Sequence, residues 1–109
     1  MSTDNPVLDT LTDMTAASVD HNSLSPREFM MARLAAMVAV DAPPISYFVS
    51  ASAIEQSGLT AEDIQGVMIA VAPVTGAPRV MAAGGHILRA LGIAVAVAES
   101  EMADEGSEP

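Results

Sequence analysis

SGLTAEDIQGVMIAVAPVTGAPRVMAA, residues 57–83, decides the fold. Gly58 is a natural stop for a helix that precedes it, since a glycine reaches the left-handed backbone at no steric cost. Thr60 and Asp63 are three residues apart, the spacing of a capping box that opens a new helix. A mostly apolar helix then runs to about Ala72, and Pro73 and Gly76 break the chain. A further helix is expected to begin around Pro78, after Thr75 or Ala77, and to end at Gly92. The stretch therefore reads as stop, cap, helix, turn and helix, which is all-α punctuation.

Upstream, SPREFMMARLAAMVAV covers residues 25–40. Ser25 caps, Pro26 occupies the first helical position, and Glu28 completes a second capping box. This helix is apolar nearly all round, and a helix without a polar face is normally buried. So few neighbours cannot cover it in a monomer, and association into a trimer, hexamer or larger ring is the expected remedy. Asp41, Pro43 and Pro44 end it, and another helix is predicted from Pro44 to Gln56. Residues 1–24 form a polar leader, in which Val7, Leu8, Leu11, Met14 and Val19 recur at roughly helical spacing. A weak amphipathic helix is expected over residues 6–18, loosely attached or packed on a neighbouring subunit. Residues 93–98 fit either a helix or a strand by length, and the alanines favour helix. The acidic tail, residues 99–109, lacks large apolar residues and is expected to be disordered. The domain proper is thus residues 25–98, a compact bundle of five or six helices counting the leader.

Composition narrows the function. The 109 residues suffice for one domain, and only 3% are aromatic, so the core must be built from small side chains and close helix contacts. The net charge is -10, with four Lys and Arg together against 14 Asp and Glu. Counterion release needs basic patches, so neither nucleic acid nor an anionic membrane is an expected partner. There is no cysteine, which removes disulfides, thiol catalysis and zinc-thiolate sites. The polar, acidic N-terminus carries no signal-peptide pattern, which leaves a cytoplasmic location as the expectation.

The stretch 57–83, with Gly58, Thr60, Glu62, Asp63 and the Gly76-to-Pro78 turn, resembles the carboxymuconolactone decarboxylase family, and residues 25–40 look like that family's preceding helix. The resemblance implies an alkylhydroperoxidase D-like helical fold and a habit of forming homo-oligomers. It also implies where the chemistry should be. The alkylhydroperoxidase D branch carries Cys-x-x-Cys-x-x-x-His before the glycine, and those positions fall on Pro43, Ser46 and Ser50, with the branch's upstream glutamate near Met31. A serine cannot replace a low-pKa thiol or close a disulfide, so thiol peroxidase chemistry is excluded. The decarboxylase branch's histidine would fall around Ser50, so its chemistry does not carry over on these residues.

The residues left to weigh are few. His86 is either an acid, base or anion contact, or a partly buried interface histidine. Arg79 and Arg89 share a helix face with it, where they either grip a small carboxylate or pair with Glu55, Glu62 or Asp63. Gly84 and Gly85 point to a close helix crossing or to room for a ligand. Tyr47, the only tyrosine, either lines a pocket or packs in the core with its hydroxyl at the edge. Neither His21 nor the methionines give metal-ligand spacing, so no metal and no cofactor are expected. The leading expectation is a non-redox, homo-oligomeric binding or structural protein with a small apolar pocket. The alternative is an enzyme acting on a small carboxylate or lactone through His86, the arginines and Tyr47.

Overall fold

A computed structural model describes the backbone of residues 5–106 and the side chains of residues 5–92. Five helices follow in order: α1 (Pro6–His21), α2 (Pro26–Ala39), α3 (Pro44–Gln56), α4 (Ala61–Thr75) and α5 (Ala77–Gly106). Among the described residues there is no strand. The fold class read from the punctuation of residues 57–83 is the one observed.

Local chemistry sets most of the boundaries. Ser25 Oγ accepts from the Glu28 amide while the Glu28 carboxylate accepts from the Ser25 amide, and Thr60 and Asp63 repeat the arrangement on α4. Asn5 caps α1 by accepting from the Leu8 amide at 3.0 Å, ahead of Pro6. Gly58 leaves α3 at φ +83° and Gly76 leaves α4 at φ +89°, where a Cβ would be strained. Asp41 takes the left-handed turn after α2 at φ 56°, a conformation that Asp tolerates better than most side chains.

Three helices run past their expected ends. α4 continues through Pro73 to Thr75, not to Ala72. Proline removes one backbone bond, here to the carbonyl of the exposed Ile69, and in the last turns of a surface helix water takes that acceptor. α5 does not stop at Gly92, because a glycine ends a helix only where it adopts positive φ, and among the described glycines only Gly58 and Gly76 do so. The backbone of residues 93–98 follows the helical alternative, and α5 extends to Gly106, into the stretch whose composition suggested disorder. Glu, Met and Ala there propagate a helix well once one is under way. Residues 107–109 lie outside the described residues. α1 reaches His21, three residues beyond the expected 18.

The bundle proper is α2 to α5. Met30, Leu34 and Val38, at four-residue spacing, form the buried stripe of α2. Leu34 and Val38 join Tyr47 and Ala51 of α3, Val67 of α4 and Ala83, Ile87 and Ala90 of α5 in one core cluster. The alanines let the helices approach closely, as expected of a core with almost no rings. α2 is not wholly enclosed, since Val40 at its C-cap is 72% exposed. α1 makes no element-to-element contact with the rest and buries no residue. Its detachment contributes to a radius of gyration of 16.1 Å, against about 13 Å for a compact chain of about 100 residues.

Candidate functional site

The positions that replace the redox motif lie at the start of α3. Pro43 is its N-cap and Pro44 its first helical residue. Ser46 and Ser50 are half-buried, and the Ser50 hydroxyl lies 3.9 Å from the Met37 thioether, a weak contact with no acid or base in it. No nucleophile is activated here.

Between the two serines, Tyr47 turns inward and is 1% exposed. Burial first, and then the nearby Asp41 carboxylate, push its phenol above the ordinary value, so it stays protonated and neutral. Its ring centroid is 5.6 Å from that of His86, with the planes tilted by 40°. This contact joins α3 to α5. His86 is half-buried, and its Nδ1 is buried without a hydrogen-bond partner among the described residues. An orphaned polar atom of this kind costs about 1–3 kcal/mol and calls for an explanation. Beside it an open groove of about 280 Å³ is lined by Pro44, Ile45, Phe48, His86, Arg89 and Ala90.

The expected basic stripe divides. His86 and Arg89 share that groove, whereas Arg79 stands at the start of α5 and donates to the Ala39 carbonyl at the end of α2. Ten residues of helix separate Arg79 from Arg89, about 15 Å along the axis, too far for both to hold one carboxylate group. Asp63, one of the anticipated partners of the α5 arginines, is taken instead by Arg27 of α2, whose Nε donates to it at 3.2 Å. The Thr60 amide and then the Arg27 guanidinium hold the Asp63 carboxyl below its usual range. Arg27 escaped the sequence reading because a pair between the first turns of two helices leaves no mark in residue spacing. Among the described residues no group of three or more His, Asp or Glu is placed to hold a metal ion.

A second hollow, about 350 Å³ and almost wholly apolar, lies on the other side of α5, where Ile54 and Leu59 meet Ile64 and Met68 of α4 and Gly84, Ile87 and Leu88 of α5. Only Glu55 and Gln65 bring polar groups to it. A Cβ on Gly84 would lie 3.6 Å from Met68 Cε, an ordinary contact, so packing within the chain does not require a glycine there. The sequence offered two alternatives at the glycine pair, a close helix crossing or room for a ligand, and an open hollow lies beside Gly84.

No described helix is long and apolar enough to cross a membrane. In comparisons with known proteins, the profile of the Carboxymuconolactone decarboxylase family matches residues 5–85, from the cap of α1 to the middle of α5. No curated protein and no solved structure matches the chain.

Proposed function

The chain belongs to the carboxymuconolactone decarboxylase family, and we propose that within it this protein is a non-redox homo-oligomer with a binding or structural role and a small apolar pocket. One observation carries the proposal: α1 presents Val7, Leu8, Leu11, Met14 and Val19, each more than half exposed, and packs against no other helix of its own chain, Val19 alone bordering a hollow with Phe29, Met30 and Ala53. A soluble protein rarely leaves such a stripe bare, and a contiguous exposed apolar surface usually marks an interaction site. The α4–α5 hollow is the candidate pocket. The absence of cysteine limits the role to binding or scaffolding as far as thiol chemistry is concerned. Because assembly stabilises the folded state by mass action, the melting temperature should rise with protein concentration. A melting temperature constant from low to high micromolar protein would count against the proposal.

The unpartnered His86 Nδ1 supports a second reading, an enzyme acting on a small carboxylate or lactone. Arg89 supplies a forked donor at the same groove and His86 a group able to give or take a proton, with Ile45 and Phe48 to hold an apolar body. Tyr47, buried and protonated, serves to orient His86. Titration with short carboxylic acids, followed by the His86 ring resonances, separates the readings. Saturable shifts that vanish in Arg89→Ala favour the enzyme; unchanged resonances favour the structural role.

A further inference from the structure

The α4–α5 hollow has a floor, a length and one polar end. Ile54 and Ile87, 2% and 4% exposed, form its floor. The partly buried Ile64 and Met68 rise on the α4 side, and the bare Leu88 of α5 stands opposite them. α4 and α5 fold back on each other about Gly76, so that Gly84 meets Met68. Seven residues further from the turn on each helix stand Ala61 and Leu91, which also line the hollow. Seven helical residues span about 10 Å, so the hollow is a trough of that length. Its volume of about 350 Å³ is roughly twice that of a cavity that holds one benzene ring. The missing side chain of Gly84 keeps its far end open.

Polarity gathers at the near end. Glu55 lies in the last turn of α3, which a short connection joins to Ala61, and Gln65 is one turn on from Ala61. These are the only polar side chains that line the hollow, and neither side chain has a hydrogen-bonding partner among the described residues of the hollow. A carboxylate accepts and cannot donate, and the amide oxygen of Gln65 accepts beside it. No Lys, Arg or His lines the trough, whereas His86 and Arg89 line the groove across α5. The two hollows therefore select opposite charges. A net charge of -10 draws cations to the molecule and opposes the approach of a second copy to a further carboxylate.

We propose that the α4–α5 hollow binds small apolar amines, with the ammonium at Glu55 and Gln65 and the hydrocarbon body laid over Ile87 toward Gly84 and Met68. This rests on the binding role proposed above and adds to it the class of ligand. The apolar floor and walls supply burial for the body, and the carboxylate fixes which end of the ligand points to α3.

Methionine methyl groups give the readout, since Met68 Cε lies at the Gly84 end of the trough while Met30 and Met37 lie elsewhere. Protein with labelled methionine methyls is titrated with phenylbutylamine, phenylbutanol and phenylbutyrate, which share an apolar body and differ in the head group. The expected result is a saturable shift of the Met68 resonance with the amine and none with the carboxylate. The amine should bind roughly fivefold more tightly than the alcohol, as suits an ion pair at an open edge. Glu55→Gln is expected to bring the amine down to the alcohol and to leave the alcohol unchanged. Gly84→Leu, with its helical signal retained, is expected to abolish binding of both. Equal affinity for amine and alcohol, tighter binding of the carboxylate, or an amine preference that survives Glu55→Gln would overturn the ligand class and leave the pocket. Amine binding that persists in a folded Gly84→Leu would place it elsewhere and overturn the proposal. A Met68 resonance that none of the three probes moves would remove the pocket as well. One that moves with protein concentration alone would show that a second copy covers the hollow, and would also overturn the proposal.

Discussion

Asp63 carries two duties in one side chain. It closes the capping box of α4 and receives Arg27 from α2, so a single carboxylate both starts one helix and ties it to another. Its folded-state pKa is depressed, so the unfolded chain binds the proton more readily than the folded one. The resulting stability is present above the unfolded pKa and is lost as pH falls through the folded value. Asp63→Asn should therefore melt at a lower temperature than the wild type at neutral pH, and the gap should shrink below the ordinary carboxylate range. A gap that stayed constant into acid would mean that the carboxylate's charge does not matter. The sites that replace the redox motif make a second prediction at this scale. Purified protein should reduce no peroxide with dithiol donors, because Ser46 and Ser50 supply no sulfur and the chain contains no cysteine. Turnover above a blank that survives removal of contaminants would contradict it.

At the scale of elements, what was legible in the sequence was what is local. Ser25 with Glu28, and Thr60 with Asp63, satisfy amides three residues away, so the helix starts they encode were readable from spacing. The ends of α4 and α5 were not. Whether Pro73 or Gly92 terminates a helix depends on whether the freed carbonyl meets water and on which φ the glycine adopts, neither of which spacing reveals. The site was legible only in part. His86, Arg89 and Tyr47 were singled out as candidates, but their grouping at one end of α3, without Arg79, is a property of helix packing. Two predictions follow from the helices themselves. Gly85→Ala removes a helix-weakening residue at a position open within the chain, so the isolated protomer should gain roughly 0.5–1 kcal/mol. If a partner helix lies there, the same methyl should weaken assembly, so sedimentation and melting of the variant should move in opposite directions. Unchanged assembly would place the contact elsewhere. Truncation after Ala98 should shift melting by less than about 4 °C, because ESEMADEGSEP offers only one methionine to bury. A larger fall would show that the acidic tail is docked.

At the scale of the whole molecule, the single chain is unevenly finished. α2 to α5 enclose a small-residue core around Leu34, Val38 and Tyr47, whereas α1 and the outer faces of α4 and α5 leave their apolar residues to solvent. The net charge of -10 opposes self-association, so any contact between copies must be apolar and specific enough to overcome it. Family membership accounts for the helical fold. The absence of cysteine excludes thiol chemistry, and the binding and assembly role is the one proposed above. The most direct measurement is the mass of the wild-type protein in solution, by light scattering behind a sizing column at micromolar concentration. The expected mass is that of two or more 11.2 kDa protomers, and three copies or more if the contact closes as a ring. A single species at 11.2 kDa would contradict it.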